Sequence, residues 1–296
     1  MIAFGTFVGE GEAYWRYSEP GIRRCKEPDS VVLAYAAVSS LPRSLNIVLD
    51  AAAARDDLEA LILIHPHTEL TDPGICARAR EILADPEVAV AGAAGATGVD
   101  DTIAWWEGTV SAAPGLHRYE GTPGGDFPAF SWAGPASGTF GAVDAVDGSL
   151  LVLSPWAVHT IRFDEALQVG HGYDVDFCRQ IRAAGGKVVT ADLRATYHMG
   201  LELVEEVALW VEGHRQVAEK WDATEGDDAY WKARARRAEA EREAARAIAH
   251  GQRLADDARV DVLERRLRDT SATLSWRITE PLRRANARRR RMRAGR

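Results

Sequence analysis

His65, His67 and Glu69 alternate directly behind a short apolar run, Leu61-Ile62-Leu63-Ile64. Imidazole and carboxylate groups bind metal ions or carry protons, and side chains two residues apart on an extended chain point to one side. A run of this length and composition reads as a strand buried on both faces of a largely parallel sheet. Ligands of open α/β sheets sit just beyond the carboxyl ends of such strands. Residues 57–70 therefore mark a site.

The elements that must position this site alternate along the chain. Strands are expected over 2–7, 31–38, 61–64, 88–91 and 187–190. Helical spacing covers 43–54 (Ser44, Leu45, Ile47, Val48, Ala51, Ala52) and 73–83 (Ile75, Ala79, Ile82, Leu83), the second stopped by Asp85-Pro86. A third helix over 174–184 buries Val175, Cys178 and Ile181 and ends at Gly185-Gly186. Residues 143–153 read as strand, turn and strand around Asp147-Gly148, and His198 follows the last strand closely. This order predicts an α/β domain with a mostly parallel sheet flanked by helices. The Gly-rich run from Gly92 to Gly98 lacks the order of a Rossmann fingerprint or a P-loop and reads as a flexible loop. Residues 105–140, rich in Gly, Pro and aromatics, read as irregular binding loops on that scaffold.

Three units follow: a domain over 1–203, a helical extension over 204–270, and a basic tail over 271–296. Ala, Arg and Glu dominate 231–268, where Ile248, Leu254, Ala258, Val262 and Leu267 break heptad phase. That pattern predicts a long helix or weak coiled coil, able to pair into a homodimer or fold back. The net charge of -8 conceals an asymmetry. Residues 281–296 hold eight arginines and no acid, so residues 1–280 carry -16. With an acidic body and no binding motif, nucleic acid is not an expected partner. Arg288 to Arg291, preceded by Trp276, Ile278 and Leu282, suit an anionic membrane surface; a solvated tail is the plain alternative. Cys25, Cys76 and Cys178 have no metal-finger spacing and fit a reducing cytoplasm. The N-terminus shows no basic segment followed by a long apolar one, so no signal peptide is expected, and no apolar stretch approaches the ~20 residues that span a bilayer. The expected location is cytoplasmic, with peripheral contact at the inner face of the plasma membrane.

Taken together, the motifs resemble the family-2-type GT-A glycosyltransferases, in particular the streptomycin-biosynthesis-F-like branch, over about residues 1–200. The resemblance rests on His65-Pro66-His67-Thr68-Glu69 after the buried strand, Asp147-Gly148 before a strand, Tyr173-Asp174-Val175-Asp176 at a helix start, and the late His198. The closing run from Ser275 to Arg283 resembles a tail on several envelope-polysaccharide glycosyltransferases.

The resemblance implies an inverting transfer of a hexosyl group from a nucleotide-sugar donor to a glycan or lipid-linked acceptor, in cell-envelope polysaccharide or glycoconjugate assembly. A divalent metal would stabilise the departing diphosphate as Lewis acid and template. His67 and His198 match the metal positions, and His65 the first acidic position of the set. Because His67 stands where family members carry Asp, Mn²⁺ is expected over Mg²⁺, which prefers oxygen ligands. Charge neutralisation by imidazolium without metal, or lost activity, are the other outcomes of that exchange.

Asp174 matches the general base, a carboxylate that must reach the acceptor hydroxyl. A first-turn Asp is equally a common helix cap, and Asp176 shares both possibilities. His65, Glu69, Asp147, Gly148, Tyr173, Asp176 and Asn46 are the expected donor and acceptor contacts. Asp147-Gly148 also reads as an ordinary turn. Trp105, Trp106 and Trp132 offer flat faces for sugars, with at least one of the Trp105–Trp106 pair in the core. His171 is a loop candidate for a substrate hydroxyl, and Cys178 a small buried hydrophobe. The rival to an enzyme is a catalytically silent GT-A-like binding or scaffold module. Nucleotidyl transfer is a weaker third option, lacking a basic Gly-rich loop.

Overall fold

Short aliphatic runs without charge bury both faces most readily in the middle of a sheet, and the chain does this. The computed structural model describes residues 1–9, 12–100, 102–120, 131–133, 136–167, 170–199, 207–222, 228–279 and 281–282. Its strands are β1 (Ile2–Val8), β2 (Val31–Ala36), β3 (Ala60–Ile64), β4 (Thr68–Leu70), β5 (Val88–Gly92), β6 (Ala94–Thr97) and β7 (Thr109–Ala112). They continue as β8 (His117–Glu120), β9 (Ser131–Ala133), β10 (Ala145–Val146), β11 (Leu150–Leu153), β12 (Lys187–Thr190) and β13 (Ala195–Met199). The helices that pack on them are α1 (Glu19–Cys25), α2 (Leu41–Ala53), α3 (Ile75–Ile82), α4 (Pro155–Thr160) and α5 (Tyr173–Ala183). Each expected strand and helix of the domain forms within two residues of its predicted bounds.

The central sheet has the order β12-β5-β11-β3-β1-β2. All pairings are parallel except those of β11, which runs antiparallel between β3 and β5. Every residue of β3, β5 and β11 is buried, which explains their unbroken hydrophobicity. The α/β architecture with a mostly parallel sheet is the one expected.

Two expectations are corrected. The run from Gly92 to Gly98 is no flexible loop: β6 lies within it and forms a three-stranded sheet, β10-β6-β7. Gly92 and Gly95 serve packing. A Cβ on Gly95 would stand 2.3 Å from the Ala145 carbonyl, and one on Gly92 would stand 2.5 Å from the Val146 Cβ. Residues 105–140 likewise carry β7, β8 and β9, with β8 and β9 extending a second small sheet, β4-β13-β8-β9. Strands this short escape a periodicity reading because each contributes only one or two residues per face.

After the domain, the helix Val207–Trp221 folds back onto α5. Asp176, fully buried, is the anchor: Lys220 Nζ and Trp221 Nε1 each donate to it at 2.8 Å, and so does Gln180 Nε2. A second apolar contact joins Trp210 and Val211 to Ile103 and Ala104. The 45-residue helix Asp228–Ala272 follows and packs back through Ala240, Ala244 and Ala255.

Replacing Asp176 with Ala leaves Lys220 with Asp164 alone and empties a buried hydrogen-bonded position. The expected loss is about 2 kcal/mol, read from urea unfolding. An unchanged midpoint would show that this tether contributes nothing.

Candidate active site

The chain leaves β3 at Ile64 and turns within four residues, the Thr68 N–H donating to the His65 carbonyl at 2.8 Å. Ser18 holds this turn from outside. Its buried hydroxyl lies 3.1 Å from the His65 carbonyl, 2.9 Å from that of Pro66 and 2.9 Å from that of Thr68. Ser18 ends a π-helical turn, Tyr14–Ser18, a rare wide turn that recurs at functional sites. The turn also presents Tyr17, whose ring stacks on His198 with centroids 4.0 Å apart. His67 Nδ1 donates to the His198 carbonyl at 3.1 Å, and the His198 N–H returns a bond to the His67 carbonyl at 2.9 Å. His198 Nε2 lies 3.1 Å from Glu69 Oε2, and Arg24 closes the chain on Glu69 Oε1 at 2.9 Å.

β11 supplies the other side of the site. Because it runs against β3, its start meets the end of β3: Leu150 pairs with Ile64, and the His65 N–H donates to the Ser149 carbonyl at 3.0 Å. The turn before it is built by Asp147, whose carboxylate accepts from the Ser149 N–H at 2.9 Å. Gly148 donates its N–H to Asp174 Oδ2 at 3.0 Å, while Tyr173 lies over it and donates its hydroxyl to the Gly148 carbonyl at 3.3 Å. A Cβ on Gly148 would stand 2.4 Å from the Tyr173 hydroxyl, so this position must be Gly.

Two pKa values are displaced here. Asp174 is raised from 3.8 to about 7, first by desolvation and then by the neighbouring Asp147 carboxylate, against the N–H groups that bond it. His65 is lowered from 6.5 to about 3, by desolvation and then by His67. It is therefore neutral at ordinary pH, and its Nδ1 accepts from the His67 N–H at 3.3 Å.

His65, His67, Glu69, Asp147, Gly148, Tyr173, Asp174 and His198 thus converge, each keeping part of its surface open. Asp176 and Asn46 stand apart from them. Asp176 serves the anchor described above. Asn46 spends its amide on the backbone N–H and carbonyl of Phe163, both at 2.9 Å, and on Glu165. Trp105 is buried and Trp106 packs on Trp210, so the pair belongs to the helix contact; the side chain of Trp132 and residues 283–296 lie outside the described residues. His171 stacks near His214, and Cys178 is buried with its sulfur accepting from the Val146 N–H. Sequence reasoning missed Tyr17, Ser18, Arg24 and Tyr197, the last edge-on to His65 at 5.2 Å. The aromatic cluster Tyr14-Trp15-Arg16-Tyr17 was the available signal.

The expected metal pair meets a different arrangement. His67, donating through Nδ1, keeps a lone pair on Nε2 and suits a ligand. His198 Nε2 is engaged by Glu69, and Glu69 is shared with Arg24. Among the described residues no group of three or more His, Cys, Asp or Glu could hold an ion. The residues as placed do not make a metal set.

The streptomycin biosynthesis protein StrF of Streptomyces griseus is 31% identical to this chain over 208 residues. The chain is a relative of StrF, whose branch of the GT-A glycosyltransferases its motifs resemble. The match spans 67% of this chain and 66% of StrF, just under two thirds of that relative. Among solved structures, the mannosyltransferase PcManGT of Pyrobaculum calidifontis, in complex with GDP-Man and Mn2+, is 13% identical, with 94% of this chain and 82% of that one covered at a TM-score of 0.46. S. aureus TarS is 10% identical, with 77% and 41% covered at a TM-score of 0.44. Overlaps this loose carry no inference about activity. No protein-family model matches the chain.

In this StrF-like chain the raised pKa of Asp174 has a definite sign. Ionising Asp174 costs more in the folded chain than in the unfolded one. The penalty is absent below about pH 4, grows as pH rises, and is complete above about 7. Stability should fall across that window by about 2 kcal/mol, allowing for the carboxyl's partial exposure. Asp174→Asn should flatten this slope in a series of thermal melts. A slope identical to wild type would place the titration elsewhere.

Proposed function

We propose that the chain is an inverting glycosyltransferase, moving a hexosyl group from a nucleotide-diphosphate sugar to a hydroxyl of a glycan or lipid-linked acceptor. One observation carries this reading. A carboxyl with its pKa near 7, Asp174, is held by backbone N–H groups at the mouth of the sheet, beside a second carboxylate and the His65–Glu69 turn. Likeness to StrF supports it.

In the proposed step the acceptor hydroxyl gives its proton to Asp174 as its oxygen attacks the anomeric carbon. The bond from that carbon to the diphosphate oxygen breaks on the opposite face, which inverts the centre. A base with its pKa near 7 is about half ionised at neutral pH and basic enough to take the proton. Tyr173 and Gly148 fix the position of Asp174, while desolvation, and after it Asp147, keeps its pKa high. Asp147 and Glu69 are placed to accept from sugar hydroxyls. The diphosphate lies on the open side of the 65–68 turn, near the Arg24 guanidinium that also pairs with Glu69. The role in envelope polysaccharide or glycoconjugate assembly belongs to the same proposal.

A second reading has an observation behind it. His67, standing where the resemblance places an acidic metal ligand, suits a silent module that binds the donor without turning it over. A panel of UDP-, GDP- and dTDP-sugars, each with Mn²⁺, Mg²⁺ or EDTA, separates the two when thermal shift and donor hydrolysis are read together. The enzyme reading expects a nucleotide-specific shift with turnover, and an acid limb in kcat/KM at about pH 7. Asp174→Asn should then lower kcat by roughly 10²–10⁴-fold while keeping the shift. A shift without turnover under any metal condition would establish the silent module.

A further inference from the structure

From Arg259 to Leu282 every described side chain whose surface is defined is exposed. The long helix has left the body by this point, and its last buried side chain is Ala255. Yet this projecting stretch is not uniformly polar. Val260, Leu263 and Leu267 near the end of the long helix, Leu274 and Ile278 on the short helix Leu274–Ile278, and Leu282 are each more than half exposed; within each helix they fall three or four apart, the spacing of a helical face. An isolated helix gains little from propensity alone and is held mainly by burial of its apolar face. These six side chains lack that burial here.

We propose that this face, with the arginine run that follows it, docks on an anionic lipid bilayer. The charge distribution names the occupant. Beyond Leu282 come eight arginines and no acid, whereas residues 1–280 carry -16. An acidic surface of that size is repelled by an anionic membrane, so attraction must come from the arginine run. Leucine and isoleucine directly before it then enter the acyl boundary while the guanidinium groups meet the headgroups. A second copy of the chain is the weaker occupant. Pairing two such helices in parallel register would bring sixteen arginines together, and the apolar series is interrupted at Thr270 and at the helix end at Ala272. Nucleic acid would use the arginines but leave the apolar face in water. The inference is independent of the proposed chemistry and stands if that chemistry fails.

The test uses the full chain with sedimenting vesicles, either pure phosphatidylcholine or phosphatidylcholine with 30 to 50% phosphatidylglycerol, roughly the range in which such surface charge acts. Expected is binding to the anionic vesicles alone, at least about tenfold weaker in 0.5 M salt, where exposed charges are screened. The combined substitutions Leu274→Ser, Ile278→Ser and Leu282→Ser should weaken it about tenfold or more. So should Arg288→Gln, Arg289→Gln, Arg290→Gln and Arg291→Gln together. Both variants alter only exposed or terminal positions, and an unchanged melting temperature certifies their fold. Equal binding to neutral vesicles, or insensitivity to either variant, overturns the proposal. Tighter binding to duplex DNA than to anionic vesicles does so too. A concentration-dependent dimer abolished by the triple Ser variant, with no vesicle binding, would assign the face to a second copy instead.

Discussion

A strand that runs against its neighbours must begin where they end. β11 is antiparallel to β3 and β5 in an otherwise parallel sheet, and this polarity puts the turn at Asp147–Ser149 against the turn at His65–Thr68. This contact brings Asp147, before β11, and Asp174, in the first turn of α5, to the histidines after β3. The strand keeps this position because it is buried on both faces, so any slip of register would send Leu150 or Leu153 towards water. The geometry of the site thus depends on apolar burial several residues away from it.

Around that contact the polar groups divide between two tasks. Some hold the framework: Ser18 gathers three carbonyls, Asp176 anchors the returning helix, and Asn46 clasps the chain at Phe163. Others keep part of their surface open at the mouth of the sheet, among them Asp174, His67 and Glu69. Desolvation alone would leave Asp174 protonated to a higher pH, and ionisation is kept near neutrality by the N–H groups that bond it. The same environment keeps His65 neutral. Carboxylates and imidazoles a few ångströms apart therefore hold different charge states near pH 7, the condition under which acid and base roles can be separated.

The returning helix makes the 207–221 segment part of the site's support. Asp176 is two residues from Asp174 on α5, so the lysine and tryptophan that hold Asp176 also restrain the first turn of the helix that carries Asp174. Gly172, with φ of 77°, lets the chain turn sharply into α5, and the helix lies close enough that Val217 would meet a Cβ there at 3.0 Å. A domain boundary at about residue 204 thus separates composition more than it separates mechanics.

How much of this was legible before folding follows from which interactions are local. Apolar runs set the central strands, and helical spacing set α2, α3 and α5, because burial and periodicity are properties of neighbouring residues. Strand ends bearing His65, Asp147 and Asp174 could be picked out for the same reason. The motif resemblance named Asp174 as the base and Asp176 as a donor or acceptor contact. The fold turns Asp176 towards Lys220 and Trp221 instead and leaves Asp174 at the mouth of the sheet. Nor did the sequence reveal that Tyr17 stacks on His198, a contact between residues 181 positions apart. Residue type and spacing determined which groups the chain has to offer. Tertiary packing decided which of them meet, because distance in space, desolvation and the polarity of a single strand are not local quantities.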